Sequence, residues 1–229
     1  MIVVEKLADF RWDDSGLKVI TADQFVAEEP ASRGQLRKVT NLCRTYGYLS
    51  MGYYCSLLAE ARGDRVTPSV DTILNLQRKR MQPAALAQLN RLIGPLKAIP
   101  RSVNTLTLHV FFGAIEDPDL VALARKSFEL FRCPLLEITL ERQEQSTSWQ
   151  IGGMQALDLR DVDTARDEVF VQALRQYTRR SWRPMIAMPS PRMDLAVLHD
   201  PMDPLPPSNL KTLKKLVDVG QDMGIAVEL

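Results

Sequence analysis

The chain has 229 residues, 45% of them hydrophobic and 25% charged, a composition typical of a globular protein. Its 29 Lys and Arg residues nearly balance 28 Asp and Glu residues, so a net charge of +1 excludes a general electrostatic attraction to nucleic acid or to acidic membranes. The apolar runs are shorter than the roughly 20 residues that a membrane-spanning helix needs, and the N-terminal sequence does not have the pattern of a signal peptide.

In the first half of the chain, short β-branched runs predict strands, and longer helix-favouring runs predict helices. Ser50 suits the N-cap of one helix, Gly63 its end, and Pro83 the first turn of another. The predicted strands are 2–6, 36–43 and 65–70, and the predicted helices are 21–29, 49–62, 71–80 and 83–96.

In the second half, a regular alternation predicts a further strand, and two polar-linked runs predict a pair of strands. A Pro-rich stretch at 183–193 is typical of a linker, and it separates a domain at 1–182 from a β-α-β unit at 194–229 that we expect to pack on it. The pattern favours an α/β protein with a mixed sheet flanked by helices. The predicted strands are 105–112, 135–141, 148–154, 194–198 and 225–229, and the predicted helices are 117–131, 161–182 and 209–223.

The sequence shows little catalytic chemistry. It holds no P-loop, no dinucleotide-binding glycine motif, no nucleophile elbow and no HExxH zinc motif, and its two histidines, His109 and His199, lie far apart. The three cysteines are widely spaced, which favours a reducing cytoplasm over a disulfide framework, and Cys43 is interpreted as buried and structural. The acidic run at 161–168 fits the start of a helix better than a metal site. We therefore expect no catalytic residues, metal or cofactor.

The strongest local feature is aromatic. Four of the five tyrosines lie within nine residues, between the predicted strand 36–43 and the predicted helix 49–62. In open α/β sheets, ligands bind beyond the carboxyl ends of the strands, where this turn would lie. Tyrosine and arginine bury a large area and keep a polar group, which favours recognition of a peptide or protein. Packing of Tyr53 and Tyr54 onto the sheet remains the alternative interpretation.

The tyrosine cluster and several later segments also carry a family resemblance. The most specific stretch comprises Asn41 to Arg44, Tyr46, Tyr48, and the residues 52–54 and 56–63. The other similar segments are 68–69, 112–113, 117–118, 128–131, 134–136, 179–182, 198–201, 206–208 and 213–215. From about residue 20 onward, the chain resembles the N-terminal domain of RimK-like ATP-grasp ligases.

The resemblance implies an accessory domain without its own catalysis. In the ligases, the segment 224–229 would lead into the ATP-grasp portion that holds the nucleotide and magnesium, whereas this chain ends there. Stand-alone domains of this type look like auxiliary peptide-binding proteins of ribosomally made, modified peptides such as the crocagin type. Two positions depart from the family pattern: Gly47, where a basic residue is usual, and Asp64, where a histidine is common.

The preferred hypothesis is a non-enzymatic, cytoplasmic, homodimeric protein that recognises a ribosomal precursor peptide by strand addition and assists the modifying enzymes of natural-product biosynthesis. Two alternatives stay open: an accessory subunit that completes the substrate site of a separate ATP-grasp ligase in trans, and an independent small-molecule enzyme. The predicted peptide-binding residues, all in or near the tyrosine cluster, are Asn41, Arg44, Tyr46, Tyr48, Tyr53, Tyr54 and Arg62.

Overall fold

The chain divides into two compact units, Met1–Met185 and Ile186–Leu229. Most of the predicted linker lies outside the described residues. The computed structural model describes residues 1–12, 16–28, 36–77, 83–94, 96, 99–100, 102–142, 148–179, 193–200, 202–203, 205 and 208–228.

The larger unit contains a four-stranded parallel sheet with the strand order β2-β1-β3-β4. All residues of β1 are buried, as expected for a parallel strand that is covered on both faces. The sequence did not predict β2, because three residues are too few to show a strand alternation. The strands are β1 (Ile2–Val4), β2 (Val19–Thr21), β3 (Lys38–Asn41) and β4 (Arg65–Thr67).

Four helices lie between and after these strands in the chain. Thr21 caps the first helix: its Oγ1 accepts a hydrogen bond from the backbone N–H of Gln24 at 3.2 Å, and the Gln24 side chain accepts one from the Thr21 N–H. Ser50 caps the second helix, which ends before Gly63 in a left-handed conformation (φ 77°), so both predicted boundaries are confirmed. The helices are α1 (Ala22–Ala27), α2 (Met51–Ala61), α3 (Val70–Gln77) and α4 (Pro83–Asn90).

A three-stranded antiparallel sheet with the order β5-β6-β7 completes the larger unit, together with two helices. The predicted α/β class is confirmed, and among the described residues the parallel and antiparallel pairings lie in separate sheets. The elements are β5 (Thr105–Phe111), α5 (Val121–Phe131), β6 (Leu135–Arg142), β7 (Trp149–Ala156) and α6 (Asp167–Arg179).

The prediction of one helix from residue 161 was wrong at its start. Two short 3₁₀ turns precede α6, and an aspartate caps each of them. Asp158 accepts a hydrogen bond from the Arg160 N–H at 2.9 Å, and Asp163 accepts one from the Ala165 N–H at 3.0 Å. Such local bonds from side chain to backbone compete with a continuous helix.

Two apolar clusters cover opposite faces of the parallel sheet. Alternate residues of β1 enter different clusters: Ile2 and Val4 pack with residues of β5 and α6, whereas Val3 packs with residues of α1 and α2. Phe170 of α6 is fully buried in the first cluster, and Phe25 of α1 in the second. The turn between β3 and α2 is therefore attached to a sheet that is covered on both sides.

The smaller unit is a parallel β-α-β arrangement, as the sequence predicted. Gly220 of its helix faces Val227 so closely that a Cβ would collide with the valine side chain. In the parts of the chain that the structure describes, no helix has both the length and the apolar character needed to cross a membrane. The elements are β8 (Met193–Ala196), α7 (Leu210–Asp222) and β9 (Ile225–Glu228).

Candidate functional site

The tyrosine cluster lies where β3 ends and α2 begins, at the carboxyl end of a strand with sheet neighbours on both sides. The connecting turn is bound to the helix, because the Ser50 hydroxyl donates to the Thr45 carbonyl at 3.0 Å. Gly52 is needed in the first turn of α2, since a Cβ there would collide with the same carbonyl oxygen. The turn and the helix are thus held as one body.

The buried side chain of Asn41 holds the turn and α2 together. Its Nδ2 donates to the Gly52 carbonyl at 2.7 Å and to the Ser56 hydroxyl at 3.0 Å. Its Oδ1 accepts a hydrogen bond from the Cys43 N–H at 3.1 Å. The side chain is fully buried, so Asn41 joins the end of β3 to the start of α2.

Tyr46 has a similar internal role. Its hydroxyl donates to the Asn41 carbonyl at 2.7 Å, and its own carbonyl accepts a hydrogen bond from the Gln77 side chain at 2.6 Å. The residue is only 8% exposed, and burial raises the pKa of its hydroxyl well above the usual range. Tyr46 therefore fixes the turn to β3 and to the end of α3.

The two predicted arginines are also bonded within the chain. Arg44 makes a two-pronged ion pair with Asp9, with N–O distances of 3.0 and 2.8 Å, and this hydrogen bonding holds the pKa of Asp9 below its usual range. Arg62 donates to the carbonyls of Phe25 at 2.8 Å and Glu28 at 2.6 Å. Arg44 thus ties the turn to the N-terminal segment, and Arg62 ties α2 to the end of α1.

The remaining tyrosines form an outward-facing patch. Tyr48 is 72% exposed and Tyr54 41% exposed, and Tyr53 lies half-buried between them, with ring-centroid distances of 5.6 and 5.9 Å. Both pairs have the edge-to-face geometry that aromatic rings prefer. Leu49, 60% exposed, and Leu57 are further exposed apolar residues of this turn and helix. We call these five residues the tyrosine surface.

The structure thus divides the seven predicted residues into two groups. Contact with a peptide stays a prediction for all of them. Leu49 and Leu57 were not predicted, although Leu57 lies four residues after Tyr53, on the same side of a helix. The exposed or half-buried group comprises Tyr48, Tyr53 and Tyr54; the group with side chains bonded inside the protein comprises Asn41, Arg44, Tyr46 and Arg62.

The cysteines and the histidine of this unit have structural surroundings. Cys43, Cys55 and Cys133 are free and buried, and the pKa of Cys43 is raised by its hydrogen bond to Cys55 and by burial. His109 accepts a hydrogen bond from Arg166 at 2.9 Å on the face of the antiparallel sheet. No group of three or more His, Cys, Asp or Glu residues in the described ranges is arranged to hold a metal ion.

The two positions that depart from the family pattern have different surroundings. Asp64 is buried and forms an ion pair with Arg37 at 2.7 Å, with a second bond from the Arg37 backbone N–H at 3.2 Å. Gly47 has open space where a Cβ would lie, so a larger residue would fit there. Only Gly47 lies in the turn that carries the tyrosine surface.

The family of RimK-like ATP-grasp N-terminal domains matches residues 22–173, more than half of the chain. The chain belongs to this family. The matched range of the RimK-like domain includes β3, α2 and the tyrosine surface, and an N-terminal domain of this kind fits a non-catalytic role. Comparison with curated proteins gave no significant match.

Proposed function

We propose that this RimK-like domain is a non-catalytic peptide-binding protein, which recognises a ribosomally made precursor peptide and assists the enzymes that modify it in natural-product biosynthesis. The tyrosine surface is the observation that supports this function. Tyr48, Leu49, Tyr54 and Leu57 are exposed side chains on a single turn and helix. Apolar side chains grouped in this way on a protein surface are typical of interaction sites.

The chemistry of tyrosine supports a peptide as the ligand. Each ring offers a large apolar area at a low cost in side-chain entropy, and each hydroxyl can bond to a peptide side chain or backbone group. Tyr53 lies between Tyr48 and Tyr54, and the edge-to-face contacts restrict all three rings before binding. Such preorganisation leaves less entropy to lose when a flexible peptide binds.

The turn that carries the tyrosine surface is also fixed in place. The Asn41 hydrogen bonds, the Tyr46 hydroxyl and the close approach of Gly52 hold the turn against the sheet. The edge strand β4 contacts α2, which carries the tyrosines. An extended peptide that paired with an edge strand would add backbone hydrogen bonds to the side-chain contacts, which is the mode of binding we propose.

Calorimetric titration with precursor peptides encoded next to the gene tests this function. We expect saturable binding by at least one peptide. Tyr48→Ala and Tyr54→Ala should each weaken it by about 2 kcal/mol, or roughly 30-fold in Kd, because exposed aromatic anchors dominate such interfaces. Both side chains are exposed, so the variants should keep the circular dichroism spectrum of the parent protein.

Leu36→Ala is the matched control, since Leu36 is exposed and lies outside the tyrosine surface. It should leave Kd unchanged. Tyr46→Ala is unsuitable for this purpose, because it removes a buried ring and a hydrogen bond that fix the turn. Absence of binding by every neighbouring precursor peptide, or equal losses in Leu36→Ala and Tyr48→Ala, would contradict the proposal.

Family membership itself favours a second function, in which the domain completes the acceptor site of a separate ATP-grasp ligase in trans. This function predicts that the domain co-elutes with an ATP-grasp protein and that ligase activity disappears without it. Co-purification followed by reconstitution of the separated proteins distinguishes the two. Peptide binding by the isolated domain, with no change in affinity when the ligase is added, would favour the first function.

A further inference from the structure

A second region of the larger unit has the features of a small-molecule site. A cleft of about 730 Å³ lies between the first residue of β3, the loop after β5, α5 and α6. This volume falls within the range of pockets that hold small organic ligands. No residue of the tyrosine surface lines the cleft, so the inference drawn from it stands apart from the peptide-binding proposal.

One wall of the cleft is aromatic. Phe112 and Tyr177 stack with ring centroids 4.8 Å apart, and Phe128 meets Tyr177 edge to face at 5.7 Å. The Tyr177 hydroxyl shares a hydrogen bond of 2.8 Å with the Thr67 hydroxyl, which fixes this ring in the core. A planar apolar group in the cleft would therefore meet preordered rings.

The residues that line the cleft are also mostly positive among those that carry a charge. Its lining includes three basic residues, Lys38, Arg125 and Arg132, against one acidic residue, Glu129. Glu129 is itself paired with Lys126 at 3.4 Å on the exposed side of α5. An anion that entered the cleft would reduce the repulsion between these cations, and partial burial would strengthen its attraction to them.

Lys38 is held at the centre of this arrangement. Its Nζ donates to the Tyr177 carbonyl at 2.6 Å and lies 3.8 Å from the centroid of the Tyr177 ring. Burial lowers the pKa of Lys38, and the positive charge of Arg132 lowers it further. Both causes reflect an ammonium group near a second cation and partly removed from water, a setting that an anionic ligand would stabilise.

The backbone around the cleft is unusual as well. Of the three described non-glycine residues with positive φ, two line it: Phe112 with φ 51° and Arg132 with φ 47°. Gly113, between β5 and α5, has φ 82°, and a Cβ on it would come within 3.0 Å of Phe128. Arg132 ends α5 in this conformation, as helix C-termini commonly do, so only the positive φ of Phe112 bears on the site.

We propose that this cleft binds a small molecule that carries an anionic oxygen group, a carboxylate or a phosphate, on an aromatic or apolar body. The cations Lys38, Arg125 and Arg132 attract the anionic group. The rings of Phe112 and Tyr177 contact the apolar body.

Nuclear magnetic resonance titration with four probes tests the site: phenylacetate, phenyl phosphate, the neutral phenylacetamide, and acetate. At 0.15 M NaCl, phenylacetate or phenyl phosphate should shift the backbone amide signals of Gly113 and Arg125 saturably. Phenylacetamide and acetate should bind at least 10-fold more weakly, because each lacks one of the two recognised groups. Saturable binding of phenylacetate or phenyl phosphate supports the site, and a preference for one of these two over the other distinguishes a carboxylate from a phosphate ligand.

Two variants and one control complete the test. Arg125→Gln and Lys38→Gln should weaken binding of the better probe at least 5-fold, and Arg125 is exposed, so its replacement should not disturb the fold. Arg91→Gln removes the same charge from an exposed arginine just after α4, which does not line the cleft, and should leave the affinity unchanged. The proposal is overturned if neither phenylacetate nor phenyl phosphate binds, if phenylacetamide or acetate binds equally well, or if Arg91→Gln weakens binding as much as Arg125→Gln.

Discussion

Both polar atoms of the Asn41 side chain are bonded inside the protein, to Gly52, Ser56 and Cys43. Replacing Asn41 by leucine keeps a similar volume but leaves buried backbone groups without these partners. We expect Asn41→Leu to lower the free energy of unfolding by about 3 kcal/mol, since each unsatisfied buried group costs roughly 1–3 kcal/mol. Urea unfolding followed by tryptophan fluorescence measures this, because Trp12 and Trp149 are buried in the larger unit.

Asn104→Leu provides the matched control. Asn104 is exposed just before β5, and its backbone carbonyl, which the substitution retains, accepts the hydrogen bond from Arg142. A surface change of this kind should alter the free energy of unfolding by no more than about 0.5 kcal/mol. Similar losses in the two variants would show that Asn41 does not hold the turn.

At the scale of elements, the contact between helix α2 and its entry turn depends on one glycine. A Cβ at Gly52 would collide with the Thr45 carbonyl oxygen, which is backbone and cannot rotate away. Gly52→Ala should therefore destabilise the larger unit by about 2–3 kcal/mol, as overpacking does in cores. Urea unfolding measures this loss of stability. Gly52→Ala should also reduce peptide affinity in a calorimetric titration, because the displaced helix carries the tyrosine surface.

Gly47→Ala is the natural comparison, because a Cβ at Gly47 meets open space in the same turn. Its φ is not in the left-handed region, so alanine should be neutral or stabilise the fold by up to about 1 kcal/mol through the unfolded state. If Gly47→Ala were as damaging as Gly52→Ala, steric contact would not be the reason that α2 requires glycine.

The sequence predicts a helix boundary well when the residues that fix the boundary belong to that helix. The boundaries of α2 follow from Ser50 and Gly63, which act on their own helix, and both were predicted. The start of α6 was not predicted, because Asp158 and Asp163 bond to nearby backbone groups and form two short turns instead. Helical spacing identifies the elements, but local caps decide where they begin.

The candidate site shows the same limit. The tyrosine cluster was visible as a composition anomaly, but its division into buried Tyr46 and exposed Tyr48 depends on Gln77 and on the sheet. The cleft was not predicted, because it joins Lys38 to Arg132 and Tyr177, residues that only the tertiary fold brings together. The spacing of residues along the chain gives no indication of such a tertiary contact.

At the scale of the whole molecule, ion pairs connect the N-terminal segment to distant elements of the larger unit. Asp9 pairs with Arg44, and Asp167 pairs with Arg11 across 156 residues of sequence. Hydrogen bonds from these arginines, and from Lys18 to Glu28, hold the pKa values of the three carboxylates below their usual range. The pairs thus link stability to pH.

The direction in which stability changes with pH follows from which state, folded or unfolded, binds protons more readily. A lowered pKa in the folded state means that the unfolded chain takes up protons first, so the stabilisation is complete above the ordinary values of 4.5 for Glu28 and 3.8 for the aspartates. It is lost as the pH falls from about 5 through those values towards the lower folded-state pKa values. Urea unfolding between pH 7 and pH 3 should therefore show a nearly constant free energy of unfolding above pH 5 and a steady decrease below it.

Asp9→Asn should flatten that decrease, whereas Asp119→Asn, at an exposed residue of the turn before α5, should leave it unchanged. A free energy of unfolding that stays constant down to pH 3, or equal slopes in Asp9→Asn and the parent protein, would show that the Asp9–Arg44 pair does not contribute to the stability of the folded unit.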